Sequence, residues 1–366
     1  MKESTSRFLK KSERAIASAE RLLLLPYQNR DSMERSCRAG GCPGPLVGTL
    51  IRPTPDVSSL KPKMNKPRVR LLGVCILFCG CEPPPITDTG VVAIFGGVGL
   101  GPGQFSYPRA ITAELNGSVF VVDKNGRVQR FSPDGVFETY WRMPETEHGK
   151  PVGLKVHPDG RVFVADTHYN RVMIFDRDGN PLGSFGSEGF GDGQFQLPTD
   201  VAFDAQGFIY VSEYQGNDRI TKWSPDLRFV SAFGETEIEG KRLSRPTGLV
   251  IDEEQTLWVA DACNHRLVRF SPDGEALTAF GRFGNEPGEM RYPYDVSISP
   301  DNTLLVCEYE GNRLQWFTKD GRSLRVWGRA GRAPGELFAP WGATYGPDGR
   351  VYVVDSLNSR VQVIRP

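Results

Sequence analysis

Two aspartates, Asp200 and Asp295, sit in near-identical settings, "PTDV" and "PYDV", and are the strongest candidates for chemistry in this 366-residue chain. Carboxylates that converge on one point can hold Ca²⁺, which takes six to eight oxygen ligands, and Thr199, Thr247 and backbone carbonyls offer more oxygens. The competing reading is that each aspartate bonds the loop of its own repeat. The four histidines, His148, His157, His168 and His265, show no zinc pattern, because a three-histidine site needs convergent ligands. A second set of acids recurs along the chain: Asp123, Asp166, Glu213, Asp261, Glu308 and Asp355. An arginine follows each of them, at Arg127, Arg171, Arg219, Arg266, Arg313 and Arg360. A catalytic group is needed once or twice, whereas a packing device is needed in every repeat. These acids are therefore read as structural, each holding loop N–H groups or the local arginine, since buried charges must be paired. No nucleophile–base pair or phosphate loop is present, so no reaction follows from the residues.

A repeat positions these groups. Successive acids of the recurring set lie 43, 47, 48, 47 and 47 residues apart. Short strands and turns at that period predict an all-β, six-bladed β-propeller, with one four-stranded blade per repeat. Each repeat opens with a strand after a proline, as in "RPTGLVID", then turns through "HPDGR" or "GPDGR", where glycine supplies the positive φ. The second strand is the most apolar ("RVYVVD", "TLWVAD") and is expected to be buried on both faces. An "N-x-R" or "G-x-R" loop leads to the third strand, and an "S-P-D-G" type turn to a fourth ending in "FG" or "WG". Glycine-rich links such as "GSEGFGDGQF" and "GRFGNEPGEM" join the blades. This pattern resembles the NHL-repeat family over residues 91–366. The exits of blades 1 and 3, "RMPETEHGKP" and "GETEIEGKRLSRP", depart from it by lacking the glycine link. The last repeat ends at Pro366 without a fourth strand, while "VVAIFG" (91–96) precedes the first repeat. Open sheet edges carry unpaired N–H and C=O groups, so the early strand is expected to complete the last blade and close the ring.

In such a ring the first strand of each blade lines the channel, and the links share one face with the loops between second and third strands. That link face is the expected ligand face. Around its mouth stand Arg109, Thr199, Thr247, Tyr294 and Trp341, each directly after a proline, with Tyr214 and Tyr309 on the loops. Blades 3 and 5 pair a channel Asp with Glu-Tyr in the loop, whereas blades 2, 4 and 6 pair Gly with Asp. This correlation predicts that the two positions touch. The aromatic and polar set suits a protein, peptide or glycan ligand of a non-catalytic propeller. The alternative that the resemblance offers is a metal-dependent lyase or a lactonase-type hydrolase working in the channel. Nucleic acid is disfavoured, because residues 82–366 hold 29 basic and 38 acidic side chains. A RING ligase is excluded by the lack of paired Cys/His zinc spacing.

The N-terminal part has a different character. Residues 1–81 carry 15 of the 44 Lys/Arg but only 6 of the 44 Asp/Glu, together with five of the seven cysteines. Residues 1–63 read as an unstructured leader whose translation is open, with Met64 as the expected start. Residues 64–81 ("MNKPRVRLLGVCILFCGC") have a basic end and an apolar run too short to span a bilayer, followed by a cysteine, which together suit a secretory signal. The end resembles a bacterial lipoprotein signal, with Cys81 as the lipid-bearing residue and 82–90 as linker. Two acyl chains there would anchor the propeller on the membrane of an exported, cell-envelope protein. Cys263 and Cys307, the two cysteines of the body, are too few for a disulfide framework.

Overall fold

The computed structural model describes residues 89–366. The expectations for 1–63, for the signal at 64–81 with Cys81, and for nearly all of the 82–90 linker lie outside the described residues. The described chain forms six four-stranded antiparallel sheets, which are the six blades. In five of them the strands run in chain order from the channel outward. The inner strands are Pro108–Ala113, Gly153–Val156, Pro198–Phe203, Pro246–Ile251, Pro293–Ile298 and Gly342–Tyr345. All five residues of every second strand are buried, from Val119–Asp123 to Val351–Asp355. A strand covered on both faces cannot alternate polar with apolar, which is why these segments read as unbroken apolar runs.

The sixth blade is completed as expected. Val91–Gly96 pairs antiparallel with Arg360–Ile364, in register Val91↔Ile364, Ala93↔Val363 and Phe95↔Val361. Phe95 also packs on Phe131 of blade 1 at 4.8 Å between ring centroids. Trp327 of blade 5 donates its indole N–H to the Thr89 carbonyl at 2.6 Å. The segment 89–96 thus touches the last blade, the first and the fifth. The core is a circle of clusters between neighbouring blades. Phe120, Val122 and Trp141 of blade 1, for example, pack on Leu154, Val164 and Phe175 of blade 2.

The six acid–arginine pairs are clamps. Their N···O distances run from 2.6 to 3.0 Å, and every acid is fully buried. Five of the six clamps also grip backbone. Glu213, Asp261, Glu308 and Asp355 accept the N–H two residues before the blade proline, from Gln196, Ser244, Arg291 and Phe338 at 2.6–2.8 Å. The arginine fork reaches the carbonyls of the incoming link, as Arg127 does to Leu100, Gly101 and Gln104. An arginine is suited to this because its planar fork donates five N–H groups with fixed geometry.

The links close on themselves through a buried plug. Phe195 folds back against Gly186 (φ +83°), where a Cβ would strike its ring. The blade 3 exit departs in sequence yet keeps the device, with Leu243 against Gly234 (φ +94°). The blade 1 exit does not. There Arg171 reaches the Glu145 carboxylate instead of link carbonyls, and Asp166 Oδ1 is buried without a hydrogen-bond partner.

Burial pushes the Asp166 carboxyl up to about 6, with Arg171 pulling it back. A raised carboxyl pKa means the folded state holds more protons than the unfolded one between about pH 4 and 6, so this contribution to stability falls as pH rises through that window. Asp166→Asn is expected to flatten the slope there. At pH 7 it should cost at least about 1 kcal/mol less than Asp261→Asn, whose acid holds the Ser244 N–H. Urea melts of both variants from pH 4 to 7.5 check this.

Candidate functional site: an aromatic and cationic channel mouth

Inner strands and link-face loops enclose a cavity of about 820 Å³. The sequence-selected residues Arg109, Thr199, Asp200, Tyr214, Thr247, Tyr294, Asp295, Tyr309 and Trp341 all line it. Two backbone devices aim them. The register slips by one residue after the blade proline, at Arg109, Thr199 and Tyr294 and within Thr247–Gly248. A bulge of this kind re-aims a side chain that regular pairing would tie to one sheet face. The pre-proline residues Tyr107, Leu197, Arg245, Tyr292 and Ala339 take positive φ between 46° and 58°. A pre-proline residue is barred from the right-handed helical region, and the left-handed one costs about 1–2 kcal/mol for a residue with a Cβ. That cost recurs in five blades and carries Tyr107 and Arg245 to the mouth.

The mouth contains a ladder of rings and cations. Arg109 lies over Trp341 at 5.0 Å, Trp341 stacks on Tyr294 at 5.3 Å, and Arg245 sits between Tyr294 at 5.7 Å and Tyr214 at 4.8 Å. Tyr309 crosses Tyr294 edge-on at 4.8 Å and shares a 3.3 Å hydroxyl contact with Tyr107. Burial pushes the hydroxyl pKa values of Tyr294 and Tyr309 above the usual tyrosine range, so both remain protonated donors.

The two aspartates sit deeper and serve another purpose. Asp200 Oδ2 accepts the Leu249 N–H of blade 4 at 2.9 Å, and Asp295 Oδ2 accepts the Ala343 N–H of blade 6 at 3.0 Å. Each bonds the inner strand of the next blade rather than its own loop. Their supposed contacts with Glu213 and Glu308 are not formed, since those acids hold Gln196, Arg291 and the clamp arginines. The alternation of Asp with Gly has a different cause: a Cβ on Gly248 would come within 2.5 Å of the Asp295 Cα. Glycine in blade 4 makes room for the aspartate strand of blade 5, and Gly153 does the same beside Thr199 and Asp200.

Lys155 reaches across the channel to Asp200 at 3.7 Å. Burial raises both carboxyl pKa values, and Lys155 opposes the rise. The residues as placed do not fit a Ca²⁺ cage, because an ammonium already faces the carboxylates and both accept backbone N–H groups. The Thr199 and Thr247 hydroxyls are committed as well, to the Pro246 and Pro293 carbonyls of the following blades at 3.0 and 3.3 Å. EDTA is expected to leave the melting temperature unchanged within about 1 °C, since nothing in this donor set links chelation to folding.

His168 lines the cavity, and its Nδ1 accepts the Lys150 N–H at 3.1 Å. His265 Nδ1 accepts the Tyr292 N–H. Among the described residues no three His, Cys, Asp or Glu side chains are grouped to hold a metal. Cys307 is a free buried thiol, so no bridge joins it to Cys263.

Sequence reasoning missed Arg245, Tyr107 and Lys155. The first two precede blade prolines, where only the following residue had been read. Lys155 follows Gly153 by two, which in a strand places it on the same, channel-facing side.

The fold and its mouth define a six-bladed β-propeller with a ligand-sized cavity on the link face. The NHL-repeat family model matches residues 243–270 and 339–364, in two of the six repeats. The chain is 30% identical over 155 residues to NHL repeat-containing protein 3 of Homo sapiens, covering 40% of this chain and 44% of that protein. It is 33% identical over 91 residues to peptidylglycine alpha-amidating monooxygenase of Rattus norvegicus, covering 23% of this chain and 9% of that protein. The matches thus span less than half of either relative. A streptogramin B lyase superposes with a TM-score of 0.56 at 14% identity, over 74% of this chain and 97% of that one. At that identity the likeness concerns the fold.

Proposed function

We propose that this propeller is a non-catalytic binding module that takes a segment of a protein or peptide into the link-face mouth. The observation that carries the reading is an apolar rim on the same face as the cavity. Val98 (80% exposed), Leu100 (64%), Phe190 (62%) and Phe283 (54%) all lie in the inter-blade links. Large side chains exposed in each of three links offer apolar contacts to a partner seated over the mouth. Inside the rim, the Tyr294–Trp341 pair supplies the rigid aromatic surface on which binding energy concentrates. A glycan would also stack on these rings, but the aliphatic and phenylalanine rim suits a polypeptide better. The reading extends to an exported protein held at the cell envelope through a lipid on Cys81, which mass spectrometry of the natively expressed N-terminus would test.

A phage-displayed random peptide library panned on the purified chain tests the binding reading. Enriched peptides are expected to bind in the micromolar range, to quench tryptophan fluorescence, and to lose about tenfold or more in affinity with Trp341→Ala. No enrichment, or equal binding by Trp341→Ala and Phe190→Ser, overturns it.

A further inference from the structure

We infer that the mouth is selective for a carboxylate carried by the bound peptide, received between Arg109 and Arg245; this deepens the binding reading above and rests on it. The six clamp arginines of the blades each pair with a buried acid. Arg109 and Arg245 form no ion pair and no side-chain hydrogen bond among the described residues, and their Nε atoms are buried without partners. The Tyr294 hydroxyl is likewise buried and unpartnered, while the Trp341 indole N–H faces the Tyr107 and Tyr309 hydroxyls. These three donors and Trp341 belong to consecutive members of one ladder, so they share one side of one cavity. A buried donor without an acceptor costs about 1–3 kcal/mol, more when it is charged, so three together form a site built for an acceptor.

The charge distribution selects the class of acceptor. Residues 82–366 carry more acidic than basic side chains, yet cations gather at this part of the mouth. Lys124 feels both Arg109 and Lys150, which together with burial lower its pKa. Beside Arg245 stands Asp218, whose Oδ1 is taken by the Arg245 backbone N–H at 2.7 Å. Deeper in the channel stand Asp200 and Asp295 with Lys155 alone against them. A polyanion running down the channel would meet those carboxylates, whereas a single carboxylate on an apolar peptide stops at the arginines. Planar guanidinium forks match a planar carboxylate, and the ring faces around them accept its aromatic or aliphatic neighbours.

The test uses the full chain and defined probes in fluorescence polarisation. The first probe is the blocked peptide acetyl-Gly-Phe-Glu-Glu-Phe-Gly-amide, the second its Gln-Gln counterpart, and the third the Gln-Gln peptide with a free C-terminal carboxylate. The Glu peptide or the free-acid peptide is expected to bind about tenfold or more tighter than the blocked Gln peptide. Whichever of the two wins identifies the carboxylate as side-chain or terminal. Arg109→Gln and Arg245→Gln should each abolish the preference for the carboxylate probe over the Gln peptide. Arg109→Lys, which keeps the charge but loses the fork, should restore only part of it. Melts of each variant show whether it is folded, and Arg245→Gln serves if Arg109→Gln is not.

Equal binding of all three probes overturns the carboxylate inference and leaves peptide binding standing. Binding of none of them, together with an unproductive library, overturns both. Tighter binding of single-stranded oligouridylate than of any peptide overturns both in favour of nucleic acid.

Discussion

Deletion of Val91–Gly96 from the full chain is expected to unfold blade 6 and destabilise the whole ring by about 5 kcal/mol or more, although the deleted residues are some 250 positions from the blade they complete. The estimate has two parts. Val91 and Phe95 turn inward onto apolar clusters, and burying a side chain of this size contributes about 1.5–3 kcal/mol. The strand also satisfies the backbone of Arg360–Ile364, which would otherwise become an open edge. Phe95→Ala alone should cost about 3 kcal/mol, because it empties the contact with Phe131. Supplying the six residues again after Pro366, on a short flexible linker, should recover most of the loss. Thermal melts of the parent, the deletion and the linker version decide the matter: a deletion that melts like the parent, or a linker version that recovers nothing, would show that closure does not depend on this strand.

The second large effect concerns the channel floor. Lys155→Met should cost about 3–5 kcal/mol at pH 7.5, because it leaves Asp200 and Asp295 buried without their cation. The dependence on pH has a definite sign. Burial already raises both carboxyl pKa values, and loss of Lys155 raises them further. The folded state then holds protons that the unfolded state has released, so stability falls as pH rises through the window above the ordinary carboxylate range. Lys155 itself has a raised pKa, so its own contribution is complete throughout this window and is lost only in strong alkali. The penalty is therefore expected to shrink markedly at pH 5. Lys155→Met combined with Asp200→Asn should be more stable at pH 7.5 than Lys155→Met alone. Denaturant midpoints at the two pH values test this, and a penalty independent of pH would mean that Lys155 acts by packing alone.

Much of the architecture was legible because it repeats. Six copies of a buried strand ending in an acid set the blade count and the phase. The unpaired strand at each end then left one economical way to close the ring. The clamp role of the acids was legible for the same reason, since a group present in every blade serves every blade. What the repeat could not convey were contacts between blades. Asp200 and Asp295 were grouped with their own loops because sequence neighbours are visible, whereas Leu249 and Ala343 lie about one repeat away. Arg245 was hidden by geometry of another kind. A residue before proline is ordinarily extended, and only the left-handed turn at φ 58° carries its side chain to the mouth. Tyr294 and Trp341 were found because they stand just after the proline; their stacking, which joins the two arginines, depends on ring orientations that no spacing encodes.

The clamps have a consequence for how such a surface can change over time. They hold the inter-blade links through main-chain atoms, gripping carbonyls and amides while leaving side chains such as Val98, Leu100 and Phe190 uncommitted. Those positions can therefore be exchanged without loosening the ring. A scaffold that separates upkeep from recognition in this way can be retargeted, by selection or by grafting, one link at a time.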